Sequence, residues 1–229
     1  MLGRAAMIIW INGAFGSGKT TLAEELSLRL PEAVLFDPEY VGYLLRHWVP
    51  VPTGDFQDLP SWRELVIATA LSLRKHHAAT LIAPMKLISD DYLAEILDGL
   101  PEGGKEILHV FLDLDPAVLR QRITDRVLVP DDPARDQQTR DFCLGNLDRG
   151  IAAAGRVPPG TLLLRSDKLA PAELADEVLS RLRDPSGLTA DYCTRRRPSP
   201  DADLGFRRIR ATVVPAPYDA HARTQYRRS

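Results

Sequence analysis

Short apolar runs alternate with amphipathic stretches along most of this chain. Met7 to Asn12 (MIIWIN) is apolar over a strand's length, and Thr20 to Leu30 repeats leucine at 22, 26 and 30, the spacing of one helix face. Val34 to Phe36 predicts a second strand ending at Asp37, and Thr80 to Met85 (TLIAPM) a third. A helix precedes that third strand, with Ser61 and Glu64 spaced as a capping box. Asp90 to Leu100 predicts a helix and Ile107 to Asp113 (ILHVFLD) a fourth strand, after which Asp115-Pro116 is the N-cap and first residue of another helix. Thr161 to Leu164 gives a fifth strand. Pro171 to Arg183 closes the series, apolar at 174, 178 and 182. Strands alternating with helices predict an α/β fold, a five-stranded parallel sheet flanked by helices.

Two stretches break the alternation. Residues 38–62 are too long for a plain connection and carry Tyr40, Tyr43, Arg46, His47, Trp48, Asp55, Phe56 and Trp62, in a chain with 7% aromatic residues. Residues 127–138 (VLVPDDPARDQQ) contain prolines and acidic residues, as a mobile lid would. Beyond Arg183 the periodicity stops. Residues 184–229 carry nine arginines, no lysine and five aspartates, a charge of +4 against −6 for the preceding body. That composition predicts a disordered tail, distinct from a domain spanning 1–183. A sharper reading makes it a basic arm touching anionic lipid or nucleic acid through Arg195 to Arg197 and Arg207 to Arg210.

With 229 residues, 45% hydrophobic and 26% charged, the composition is that of an ordinary globular protein, and no apolar segment approaches the roughly 18 residues that span a bilayer. The first ten residues carry no secretory signal, and Cys143 and Cys193 have no disulfide spacing, so a reducing, cytoplasmic setting is expected. No nucleic-acid partner is expected for the body of the chain, and no histidine has the spacing of a metal site.

The chemistry begins at Gly13, Ala14, Phe15, Gly16, Ser17, Gly18, Lys19 and Thr20, which match G-x-x-x-x-G-K-[ST] without interruption. Glycines let backbone N–H groups turn inward onto phosphate oxygens. Lys19 can reach the outer phosphates, and the Thr20 hydroxyl, with Thr21 beside it at the helix start, is placed to ligand Mg²⁺. Strand, loop and helix follow in the order that the motif requires, so ATP with Mg²⁺ is the expected cosubstrate.

Whether the γ-phosphate goes to water or to an acceptor depends on other residues. Asp37 ends a strand, the position at which open parallel sheets bind ligands, which makes it a candidate general base or a Mg²⁺-positioning group; Asp-Pro-Glu is also an ordinary helix start. Arg122 and Arg126, four apart with Val118, Leu119 and Ile123 on the core side, can embrace the phosphates under the lid, or form a solvated basic face. Tyr40, Arg46, Trp48, Phe56 and Trp62, with Met85 at the end of the third strand, are the candidate acceptor contacts, since flat rings suit a planar group.

Taken together, MIIWINGAFGSGKT, FDPEYVGYLLR, DFQDLPSWR and the strand ending APM resemble the tunicamycin-resistance (TmrB-like) family of small P-loop proteins over residues 7–180. More distantly, the order of parts is similar to nucleoside monophosphate kinases and to kinases for shikimate, gluconate and chloramphenicol. The resemblance implies a P-loop fold of the nucleoside monophosphate kinase-like type, cytoplasmic ATP binding, and protection against nucleoside antibiotics by phosphorylating a drug hydroxyl. Drug sequestration without transfer and a housekeeping mononucleotide or sugar kinase are the alternatives. Two departures stand out. Many such kinases end the third strand on an acid, whereas Ala83-Pro84-Met85 offers none, which leaves Asp37 or Asp113 to do more. The family is also associated with membranes through a basic C-terminal region, and this tail has the arginines without an amphipathic face.

Overall fold

A computed structural model describes residues 7–78, 80–100 and 106–183. The proposed 184–229 tail lies outside the described residues.

Five strands, β1 (Met7–Gly13), β2 (Val34–Leu35), β3 (Thr80–Pro84), β4 (Glu106–Asp113) and β5 (Leu162–Arg165), form one sheet in the order β2-β3-β1-β4-β5. Every pairing is parallel. β1 is buried along its whole length, which is why it appears in sequence as a continuous apolar run rather than an alternation. Its residues divide between two cores. Ile8 and Trp10 pack towards α2 (Glu39–Leu45), α3 (Pro60–His76) and α4 (Asp90–Gly99), where Trp62, Val66 and Ile96 are wholly enclosed. Ile9 and Ile11 face α1 (Lys19–Arg29) and α8 (Pro171–Arg183), meeting Leu22, Leu26 and Val178. Beyond the C-terminal end of β4 lie α5 (Pro116–Asp125), α6 (Pro133–Gly145) and α7 (Leu147–Ala153).

Several expectations change in detail. The Ser61–Glu64 capping box does not form: α3 starts at Pro60, with Leu59 before it in extended backbone and no side chain capping it. Proline at the first helical position has the fixed φ that a helix start needs and no N–H to leave unbonded, so it starts the helix ahead of the serine. The 38–62 insert is structured by its own aromatics. Phe56 packs against Gly42, where a Cβ would stand 2.5 Å from the ring, and its centroid lies 5.4 Å from that of Trp62. The indole of Trp62 donates to the carbonyl of Pro38 at 3.1 Å, tying the start of α2 to α3.

The 127–138 lid is a loop only in its first half. Asp132 accepts from the Arg135 amide and Pro133 starts α6, the same Asp-Pro device that opens α5, where Asp115 accepts from Ala117 and Val118. Buried Asp136 then ties the loop down, accepting from the amides of Leu128 (2.6 Å) and Val129 (2.9 Å) and pairing with Arg140 (2.6 Å). Those backbone bonds hold its carboxyl below the usual carboxylate range. Val118 is partly exposed instead of core, whereas Leu119 and Ile123 are buried as expected.

Near the end of β1, the buried Asn12 side chain ties that strand to the segment after β3. Its Oδ1 accepts from the amides of Gly13 (2.7 Å) and Leu87 (2.9 Å), and its Nδ2 donates to the Leu87 carbonyl at 2.6 Å. The entry to the phosphate-binding loop is thus fastened to the segment that follows β3. Asn12→Ala leaves these backbone groups without partners in a closed environment, so urea unfolding should show a loss of about 2–3 kcal/mol with an unchanged m-value.

Candidate functional site

The loop leaving β1 bends through Gly13, Gly16 and Gly18, all at positive φ (143°, 79° and 95°). A Cβ at Gly13 would lie 2.7 Å from the Leu112 carbonyl, and one at Gly16 would lie 3.2 Å from Ile123 of α5. Gly18 differs, since a Cβ there would meet nothing within 4 Å. The loop is packed on its back and open on its front. Ser17 contributes a buried hydroxyl with no hydrogen-bond partner among the described residues, an arrangement that a phosphate oxygen would satisfy.

Lys19, first residue of α1, folds back over the loop and donates to the carbonyls of Gly13 (3.0 Å) and Ala14 (2.7 Å). Its removal from water lowers its pKa to about 7; Glu39 opposes that shift, and the charges of Lys86 and Arg126 reinforce it. Thr20 is exposed at the mouth of α1, free to meet a metal bound with the phosphates. Among the described residues no cluster of three or more His, Cys, Asp or Glu could hold a metal by itself, so Mg²⁺ would be held by Thr20 and the nucleotide's own oxygens.

These groups open onto a cavity of about 1370 Å³. Phe15 to Thr21 line it, and Asp37, Tyr40, Met85, Arg122 and Arg126 reach it from other elements. Asp37 accepts from the Glu39 amide at 2.9 Å, so it serves as a helix-start acceptor while it faces the cavity; desolvation raises its pKa above the usual carboxylate value. Arg122 donates to the Ser166 carbonyl at 2.8 Å, holding the loop after β5 against the cavity. Arg126 lies one residue past the end of α5 in extended backbone, so it does not share a helix face with Arg122, although both side chains reach the same space.

The remaining candidates are elsewhere. Trp62 and Phe56 are core residues, and Arg46 stacks on Phe56 (5.4 Å) and donates to the Gly54 carbonyl. Trp48 is 68% exposed. None of these four lines the cavity. Asp113 points to Arg165 at 4.0 Å and does not line it either. Glu39 and Lys86 are among the lining groups that went unread in the sequence. Glu39 accepts from the Tyr43 hydroxyl at 2.8 Å and faces Lys19 electrostatically. Lys86 is buried directly after β3, its ammonium 3.6 Å from Asp55 and 4.5 Å from the centre of the Phe15 ring. Burial lowers its pKa, with Asp55 opposing. The strand-end rule that drew attention to Asp37 applies equally to Lys86.

Residues 8–142 match the model of the AAA domain family. The chain belongs to that family. No curated protein matches it in sequence. Among solved structures, this AAA domain protein is similar to the tunicamycin resistance protein of Deinococcus radiodurans, at 26% identity and a TM-score of 0.57 over 77% of this chain and 95% of that one. An unliganded sugar kinase from Janibacter sp. HTCC2649 is 18% identical with a TM-score of 0.51, covering 81% of this chain and 99% of that one. The APS kinase of Mycobacterium tuberculosis, in complex with AMPPNP and APS, is 18% identical with a TM-score of 0.55, covering 79% and 99%. At 18% these two likenesses show the fold, a parallel sheet flanked by helices with kinase-like neighbours. Among the described residues no helix is long and apolar enough to cross a membrane.

The state of Lys19 makes nucleotide binding depend on pH. In the free site the amine is charged below about 7 and neutral above it. Triphosphate oxygens favour the charged form and raise the pKa, so binding between that value and the raised one takes up a proton. Calorimetric titration with MgATP at pH 8 in buffers of different ionisation enthalpy should show uptake approaching one proton, shrinking towards pH 6 and absent in Lys19→Met. Affinity should weaken as pH rises above 7.

Proposed function

We propose that this protein is an ATP- and Mg²⁺-dependent phosphotransferase acting on a hydroxyl of a small molecule, a nucleoside-type antibiotic in the manner of tunicamycin resistance. The observation that carries the reading is the size of the cavity together with the groups that line it. At about 1370 Å³ it exceeds the roughly 300–1,000 Å³ of sites that hold one small ligand, and its lining includes both the phosphate loop and the carboxylates of Asp37 and Glu39. That is room and chemistry for two substrates. The likeness to the tunicamycin resistance protein over most of both chains supports the choice of acceptor class.

ATP supplies the γ-phosphoryl group, and Mg²⁺ neutralises charge on its oxygens. The chain's own residues do the rest. Inward backbone amides and Lys19 hold the phosphates, while Arg122 and Arg126 stabilise the negative charge on the transferring group. Asp37, with one oxygen committed to the Glu39 amide, takes the acceptor's proton on the other as its raised pKa favours. A bond forms between the acceptor oxygen and the γ-phosphorus, the bond to the bridging oxygen breaks, and ADP leaves. Action in the cytoplasm, where ATP is available, follows from the same reading.

A second reading, drug binding without transfer, is favoured by the end of β3, where Lys86 follows Met85 and no carboxylate stands. Mass spectrometry of a nucleoside antibiotic incubated with protein, ATP and Mg²⁺ separates the two. Transfer adds one phosphoryl group to the drug, whereas tight binding with an unmodified drug contradicts it. Asp37→Asn should lower turnover at least about 100-fold while ATP affinity stays within a few-fold. Undiminished turnover would remove Asp37 from the mechanism.

A further inference from the structure

Beside the large cavity lies a smaller one of about 240 Å³. It is bounded by the short 3₁₀ turn Phe56–Asp58, the start of α4 and the junction of α6 and α7. Lys86 lines both cavities. Its ammonium rests over Phe15, which packs edge-on against Phe142 with centroids 5.7 Å apart, so this cation and the two rings form the shared wall.

The lining away from that wall is almost wholly polar. Asp55 and Asp58 contribute carboxylates, Gln57 and Asn146 amides, and Arg149 a guanidinium, with the Tyr92 ring at the edge. These groups are already ordered. The Tyr92 hydroxyl donates to Asp58 at 3.1 Å, Gln57 donates to the Lys86 carbonyl at 2.7 Å, and Asn146 donates to the Phe142 carbonyl at 2.9 Å. Charge decides what fits. Lys86 and Arg149 are matched by Asp55 and Asp58, so an anion would meet two carboxylates and a cation two basic groups. A neutral group whose hydroxyls both donate and accept meets partners on every side, and the rings of Tyr92 and Phe142 offer a surface for its C–H face. The volume falls below that of whole-ligand sites, so it suits a single ring.

We propose that this small cavity is a subsite for a neutral, hydroxyl-rich ring of the acceptor, a sugar, set against the donor cavity across the Lys86 wall. The inference rests on the phosphotransferase reading above for its word acceptor, while the binding of a sugar ring is tested separately. Saturation-transfer NMR on the full chain with AMPPNP and Mg²⁺, using glucose and N-acetylglucosamine as neutral probes and glucose 6-phosphate and inorganic phosphate as anionic ones, reads it directly. Neutral sugars should bind, and Asn146→Ala and Asp58→Asn should each weaken them about tenfold, the loss of one hydrogen bond's worth of affinity, without changing AMPPNP affinity or the urea midpoint by more than a small amount. The proposal is overturned if neither neutral sugar binds, if only the anionic probes do, or if both variants bind sugar as the parent does. Failure of AMPPNP to bind would count against the nucleotide reading, with the sugar result still standing on its own.

Discussion

Lys19 rests its ammonium on the carbonyls of Gly13 and Ala14, inside the turn it follows. The position is costly for a charge. Its access to solvent is reduced, Lys86 and Arg126 act on it with like sign, and Glu39 alone among its named electrostatic neighbours, apart from the Cys143 thiol, opposes them. Two backbone carbonyls are a modest substitute for water. On the proposed reading a triphosphate supplies full negative charge in their place, and the partial burial that penalises the ammonium strengthens its attraction to phosphate. The rest of the domain serves this arrangement. The β1 strand delivers the loop from the centre of the sheet, α5 packs Ile123 against Gly16, and Asn12 pins the loop's entry to the backbone at Leu87.

That last bond links the phosphate loop to the segment that carries Lys86. The Asn12 side chain holds Leu87, next to Lys86, and Gln57 holds the Lys86 carbonyl from the other side. Movement at the phosphate loop therefore meets a short, buried path to the small cavity, through one asparagine, one strand end and one glutamine. Asp136 does similar work on the far wall, converting what would be a free flap into a loop fixed at Leu128 and Val129.

Much of this was legible in the chain. Parallel strands buried on both faces leave unbroken apolar runs, so β1 and β4 stood out, and the loop motif has its geometry written in glycines. What escaped was decided by packing. Aromatic residues look alike whether they line a cavity or fill a core, and only the depth of Trp62, on the buried face of α3 and bonded to Pro38, distinguishes the two. Helix α6 is polar along most of its surface, with only Asp136 and Cys143 buried, so no apolar stripe announced it; the Asp132-Pro133 start was the available signal. Lys86 was hidden by its type. A lysine after a strand looks like a surface residue until the fold places Phe15 and Asp55 around it.

On the proposed reading, the half-buried Lys19 of the phosphate loop is stabilised by the phosphates of a nucleotide. Urea unfolding with and without MgATP tests this most directly, because a ligand that binds only the folded state must raise its stability, by about 2.7 kcal/mol at one hundred times Kd. The midpoint should rise with MgATP concentration in the parent protein and stay nearly fixed in Lys19→Met. A midpoint indifferent to millimolar MgATP in the parent would contradict the account.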